Sequence, residues 1–400
     1  MSRRVRSREI FDVADVLPLR VVEEAEIFEQ VLTTQDFVDL APSPGLRLFT
    51  DYSRDVAGPE LANWLMERVG GPSEPVWDYG LHVQEGATEL CRTGPAWWFP
   101  RYGVLIGAQG DVPKGPAGEA LHNWLALDPL PGISATEGEL GFTPPSAAPH
   151  LAAGAIALPF GMSNYGHFVF GGLASILAVE EAGLLDRFPL RVPPLTSWQR
   201  TLIGLTFGGL VAEEIAAPVV HLDGAVFSTT MDHYLHRPGP LILRLRERVR
   251  RAMQTTGRAG RRLYISRRSQ HMRIMVDEAA LEAALVARGF EIIRPERLKV
   301  DEQIRLFREA SVIIGASGAG LANALFCDEG AKVIEIQPIN FTSFWTAAFC
   351  RAVGLDWSGY ITPSPCAKEE APWLSRVRRG FRFAYRLDVP EFLAFVDAKL

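Results

Sequence analysis

The chain has 400 residues, 48% hydrophobic and 22% charged, with a formal net charge of −6. That length asks for two cores of roughly 150–200 residues each. The acidic balance excludes a nucleic-acid binder driven by bulk charge. The four cysteines (Cys91, Cys327, Cys350, Cys366) have neither metal-type spacing nor the density of a disulfide scaffold, and they fit a reducing cytoplasm. No apolar run reaches the length of a membrane span. Arg3, Arg4, Arg6 and Arg8 are not followed by the apolar core of a signal peptide. The expected location is cytoplasmic, at the inner face of the membrane if at any membrane, with membrane contact at most peripheral.

Residues 1–60 mix strand-like pieces (19–22, 46–49) with turn clusters, and 70–150 are rich in Gly, Pro and Trp. Residues 153–159 read as a buried strand. A helix from His167 to about Glu181 follows, with Ser163 or Asn164 as N-cap and Gly183 as stop. Next come a short strand over 194–198, a helix over 197–205, and a strand or hairpin over 219–227 turning at Asp223-Gly224. His233, His236, Pro238 and Pro240 break the pattern. The domain boundary therefore falls there, giving 1–237 and 238–400, with a last helix able to cross back.

In the second half strands (262–266, 290–293, 311–316, 332–337, 360–361) alternate with helices (277–288, 301–310, 342–353, 389–398), which implies a doubly wound parallel sheet. Gly315, Gly318 and Gly320 lie between a buried strand and a helix start. There, backbone N–H groups and the helix dipole favour a phosphate. Ser317, Ala319 and Leu321 belong to the same turn. Glu335, read as ending the next strand, is placed to accept hydrogen bonds from a ribose diol. The spacing is not the dinucleotide fingerprint, and two strand–helix units precede it. An NAD(P)-binding oxidoreductase, a ligand-free turn and a non-catalytic nucleotide-binding module all stay open on these residues.

Arg267 follows its strand directly, at the edge where open α/β sheets bind ligands, and Arg273 lies a few residues on. Facing the Gly turn, the two would clamp a diphosphate. Arg261, Arg262 and Arg268 read as a solvated basic loop. His167, at a strand–helix junction, suits a general base or, equally, a capping or packing role. His221, His233 and His236 have no better claim, and no His/Asp/Glu cluster has metal-ligand spacing along the chain.

Tyr264-Ile-Ser-Arg267, Arg273 with Asp277-Glu278, and Gly289 to Pro295 resemble glycosyltransferase family 61. The resemblance continues through Glu302-Gln-Ile304, Gly315 to Asn323, Phe326, Gly330 and Val333-Ile-Glu335, with Asn164-Tyr-Gly-His167 in the first half. The family has His where Ser317 stands and Asn where Asp277 stands. The resemblance implies a GT-B-like fold, two Rossmann-like domains facing a cleft, with the acceptor toward 1–237 and the nucleotide-sugar donor on 238–400. It implies an inverting transferase moving a sugar from a nucleoside-diphosphate sugar, taken as UDP-linked, to a hydroxyl of a saccharide or lipid-linked saccharide. Capsule, exopolysaccharide or lipopolysaccharide synthesis is the implied setting, with no obligatory metal or other cofactor. His167 would be the base, and Arg267, Arg273, Gly315, Ser317, Gly318, Ala319, Gly320, Leu321 and Glu335 would hold the donor.

Overall fold

A computed structural model describes residues 17–18, 20–22, 28–33, 89–108, 110–113, 130–136, 139–157, 163–228, 240–253, 260–338, 345–362 and 384–400. The strand expected at 46–49 and the histidines at 233 and 236 lie outside them. The chain divides into two compact units, 1–40 with 86–234 and 41–85 with 235–400.

In the first unit a six-stranded sheet holds β1 (Phe28–Thr33), β2 (Glu89–Thr93), β6 (Gly154–Ile156), β7 (Leu190–Val192), β8 (Ala212–Glu214) and β10 (Ala225–Ser228). A four-stranded sheet holds β3 (Ala96–Phe99), β4 (Val104–Gly107), β5 (His150–Leu151) and β9 (Val220–Leu222). The six-stranded order is β8-β7-β6-β10-β2-β1, with the first four strands parallel and β2 and β1 antiparallel. Helix α1 (Tyr165–Glu181) joins β6 to β7, and α2 (Ser197–Phe207) joins β7 to β8. The parallel part therefore has the order of a dinucleotide-fold half, three-two-one-four in chain sequence. Its switch point, where successive connections leave in opposite directions, lies between β6 and β10.

Two expectations change here. The strand expected at 194–198 is β7, slightly earlier. Thr196 instead starts α2, its backbone N–H donating to Gln199 Oε1 at 2.7 Å. Residues 219–227 do not form a hairpin, because β9 and β10 belong to different sheets. Asp223-Gly224 is the step between them. A Cβ on Gly224 would lie 2.8 Å from the Thr93 carbonyl, so only glycine fits that step without movement.

The second unit is a five-stranded parallel sheet with helices. Its main elements are α3 (Pro240–Met253), β11 (Arg261–Ile265), α4 (Glu278–Val286), β12 (Glu291–Ile293), α5 (Val300–Arg308), β13 (Ala310–Ala316), a 3-10 helix (Ala319–Phe326), β14 (Lys332–Pro338), α6 (Trp345–Ala352), β15 (Asp356–Thr362) and α7 (Val389–Lys399). The strand order is β12-β11-β13-β14-β15, all parallel. Leu263, Ile313, Ile314, Val333 and Ile334 are at most 1% exposed. That is why these strands read as continuous apolar runs rather than alternations: helices cover both faces of a parallel sheet. Each such side chain contributes about 1.5–3 kcal/mol of burial.

Helix α5 shows the amphipathic rule at work. Val300, Gln303, Ile304 and Phe307 are buried at helical spacing. Asp301 and Glu302 occupy its first turn, Arg305 and Arg308 its last, matching the helix dipole. In chain sequence the strand order is two-one-three-four-five, so the switch point falls between β11 and β13. Arg267 follows the first of these strands and Gly318 the second.

Candidate functional site

The second unit's switch point is held by buried polar groups. The Tyr264 hydroxyl donates to Glu278 Oε1 at 3.0 Å, and the Arg267 backbone N–H donates to the same oxygen at 2.6 Å. Glu278 is 2% exposed. Burial raises its pKa, opposed by those two bonds. One carboxylate thus pins the chain as it leaves β11 and aims the Arg267 side chain.

The Arg267 guanidinium lies over Gly318. A Cβ on Gly318 would overlap its Nη1. Arg267 Nη2 donates to the Met272 carbonyl at 3.1 Å, while its Nε is buried with no hydrogen-bond partner. No ion pair among the described residues involves Arg267, and burial lowers its pKa. Arg273 has φ of 52°, in the left-handed region that non-glycine residues rarely enter. Such a conformation persists only where surrounding structure enforces it, and it clusters at ligand sites. Burial and the neighbouring Arg267 charge bring the Arg273 pKa down to about 10. Both guanidiniums are charged at pH 7, and they repel each other. That repulsion is what a bound polyanion would relieve.

The remaining turn residues separate into two groups. A Cβ on Gly315 would press on Ile265 and Leu321 at 3.2–3.3 Å, and one on Gly320 on Ile265 at 3.1 Å. These two glycines let the 3-10 helix close against β11. The Ser317 N–H donates to the Ile336 carbonyl at 2.9 Å and the Leu321 N–H to the Gly318 carbonyl at 3.0 Å. Neither amide is left to hold a ligand, which corrects the expectation for Leu321. The N–H groups of Ala319 and Gly320, in the first turn of the 3-10 helix, have no partner within it.

The other end of that helix is closed by arginines. Arg246 donates to the Leu325 and Cys327 carbonyls at 2.9 and 2.7 Å, and Arg250 to Cys327 at 2.8 Å and to the Asp328 carboxylate. Asn323 donates to Gln303 at 2.8 Å, and Gln303 donates to the Pro295 carbonyl at 2.7 Å. These buried amides fix the helix on α5.

Glu335 sits inside β14 rather than at its end, because the strand continues to Pro338. It is fully buried, accepting from Thr346 Oγ1 at 3.2 Å and Trp357 Nε1 at 3.1 Å. A ribose would have to displace those bonds. Burial pushes its pKa up to about 7, opposed by the hydrogen bonds from Trp357 and Thr346. The folded pKa lies above the ordinary value of 4.5, so the folded chain holds the proton more tightly. Stability from this group is therefore present below pH 4.5 and is lost as pH rises to 7, by about 3 kcal/mol. Urea unfolding at pH 5 and pH 8 should show wild type losing stability relative to Glu335→Gln; parallel losses in both proteins would refute this.

The expected basic loop is not merely solvated. Arg268 pairs with Glu282 at 3.0 Å, and Arg261 with Glu291 and Glu309 at 2.6 and 2.8 Å. Arg262 donates to the Arg288 carbonyl at 3.2 Å and lies over the Phe290 ring.

In the first unit, Asn164 caps α1, its Oδ1 accepting from the N–H groups of Gly166 and His167 at 2.9 and 3.3 Å. His167 closes the first turn of the helix that follows β6, a strand of that unit's switch point. It is half-buried, and burial lowers its pKa below the ordinary 6.5. Phe168–Gly172, directly after it, is a π-helical turn, entirely buried. Such turns are rare and concentrate at functional sites. Trp198 packs against Tyr165 and Phe168 at 5.4 and 5.2 Å between ring centres.

One cluster was invisible in the sequence. His150, His221 and Asp223 come together in the first unit, with ligand atoms within 4.8 Å of one another. Seventy-odd residues separate the first from the others, so spacing along the chain carries no trace of it.

Residues 165–334 match the family model "Glycosyltransferase 61". No curated protein matches the chain. The matched span starts at the first turn of α1 and runs into β14, so it includes His167, Arg267, Arg273 and Gly318. The protein is a glycosyltransferase enzyme, and its substrates are a sugar donor and a saccharide acceptor. Among the described residues no helix is long and apolar enough to cross a membrane.

Proposed function

We propose that the protein is an inverting glycosyltransferase of the GT-B kind that takes its sugar from a nucleoside diphosphate, UDP for preference, and adds it to a saccharide hydroxyl. The supporting observation is the buried Arg267 guanidinium, lying over Gly318 at a topological switch point with no carboxylate in ion-pair range among the described residues. Arg273 beside it adds a second positive charge. The acceptor oxygen attacks the anomeric carbon as the bond to the diphosphate breaks, in one in-line step. The departing diphosphate gains negative charge, which the two arginines and the N–H groups of Ala319 and Gly320 stabilise in place. Each charge-assisted contact contributes about 1.5–3 kcal/mol.

His167 takes the acceptor proton in this reading. The neutral imidazole that burial favours is the form able to do so. The residues that hold the diphosphate need no metal of their own, and Glu335 is left as a buried support of β14 beneath the donor turn. Capsule, exopolysaccharide or lipopolysaccharide synthesis at the inner face of the membrane is the setting this reaction fits.

A panel of UDP-, GDP- and ADP-sugars should give saturable binding and slow donor hydrolysis for one nucleotide class. Binding of NAD(P) with none of these sugars bound would overturn the donor assignment.

A further inference from the structure

We propose that His150, His221 and Asp223 form a binding site for a transition-metal dication of the zinc class, separate from the donor-diphosphate residues and independent of how the donor is held. Strand pairing brings the two histidines together, and Asp223 follows directly after the strand that carries His221. β5 and β9 are parallel neighbours, with His150 opposite His221 in register and Leu151 opposite Leu222. Asp223 stands two residues after His221, at the bend just past β9, and its carboxylate comes within 4.8 Å of the two imidazoles. The backbone is tied on both sides: His221 N–H donates to the Pro149 carbonyl at 2.9 Å and Asp223 N–H to the Leu151 carbonyl at 3.0 Å.

The side chains already converge. His150 Nε2 and Asp223 Oδ1 are 2.5 Å apart, and the two imidazole rings are centred 4.7 Å apart, edge to face. Trp97, opposite His221 on β3, stands edge-on to its ring at 4.8 Å and walls one side. The His221 ring is therefore held by packing, whereas the side chains of His150 and Asp223 are 63% and 58% exposed and able to adjust.

Two imidazoles and one carboxylate make a ligand set that suits zinc and its neighbours better than magnesium or calcium, which prefer oxygen alone. Nitrogen and oxygen ligands at about 2.0–2.2 Å from a four-coordinate ion lie roughly 3.3 Å from one another. The 4.8 Å limit on the present separations leaves about an ångström and a half to close, within reach of the two exposed side chains. Binding would open the His150–Asp223 contact, place both groups on the ion, and leave at least one position to water. With neutral imidazoles the site carries one negative charge, which favours a dication over an anion. Zinc binding would therefore compete with protons at both histidines.

The test uses the full chain, freed of metal by chelation, and Zn²⁺ alone as the titrant at pH 7.5. Calorimetry should give one equivalent bound with a Kd in the low micromolar range or tighter. His150→Ala and Asp223→Asn, both exposed positions, should each weaken binding at least tenfold, with the metal-free melting temperature unchanged. Co²⁺ should give visible absorption of a four- or five-coordinate nitrogen–oxygen site in wild type and lose it in both variants. If Zn²⁺ shows no saturable binding, or binds wild type and both variants alike, the cluster is a hydrogen-bonded pair beside a packed histidine and the proposal is wrong.

Discussion

Arg267→Ala should lower kcat/KM by about a hundredfold, close to 3 kcal/mol of transition-state stabilisation. The figure is that of two charge-assisted contacts to a departing diphosphate. The fold should not suffer. The lost side chain has one bond to the Met272 carbonyl, a buried Nε without a partner, and no carboxylate in ion-pair range among the described residues. Removing it relieves repulsion with Arg273 and ends attraction to the Glu278 and Glu296 carboxylates, so the melting temperature should change little. Arg267→Lys should recover part of the rate, because an ammonium supplies charge without the two-pronged geometry. Arg268→Ala serves as the contrast: that guanidinium is already held by Glu282 and should change the rate by less than threefold.

Gly318→Ala provides a second arm. Its φ of 164° is extended backbone open to any residue, so the effect of a methyl is steric alone. The methyl would sit where Arg267 Nη1 lies, and the guanidinium must move. A loss of about tenfold is expected in wild type, and almost none when Arg267 is already Ala. Steady-state kinetics of the four proteins makes this a double-mutant cycle. Additive losses would show that Gly318 serves the turn and not the arginine.

Much of the second unit could be read from its residues, for a physical reason. A parallel sheet covered on both faces writes each strand as an apolar run, as in Val312 to Ile314 and Val333 to Ile336. Its helices carry the other period, as in α5. The same logic placed Arg267 at a strand's carboxyl end. What could not be read depends on contacts between distant segments. Ile265 crowds any side chain at Gly315 and Gly320, and no local pattern distinguishes them from Gly318. Glu335 reads as the end of its strand, where the apolar run stops, yet pairing of Gln337↔Ile361 and Pro338↔Thr362 carries β14 onward. Asp223-Gly224 has the chemistry of a hairpin turn and instead carries the chain between sheets, a choice made by Thr93 and the strands around it. The His150 cluster follows from the same pairing of β5 with β9.

His167→Ala should cost at least about a hundredfold in kcat while donor affinity stays within a few-fold of wild type. The residue closes the first turn of a helix that Asn164 caps through its side chain, and the imidazole is not the capping group. Loss of the ring should leave α1 in place, which far-UV dichroism and the melting temperature would confirm. The pH profile carries the sharper distinction. Burial holds the His167 pKa below 6.5, so the base is neutral at pH 7 and protonates only as pH falls. Turnover in wild type should therefore decline on an acid limb centred below pH 6.5, and the residual rate of the variant should lack that limb. A histidine that merely packs against the helix would move stability with pH and leave the limb of kcat unchanged. One that contacts the donor would weaken donor binding in step with the rate. Only a proton acceptor for the attacking hydroxyl combines a lost acid limb, a large fall in kcat and intact donor binding. If the variant turns over within a few-fold of wild type, the base lies elsewhere, and the π-helical turn after His167 shapes the helix without serving the chemistry.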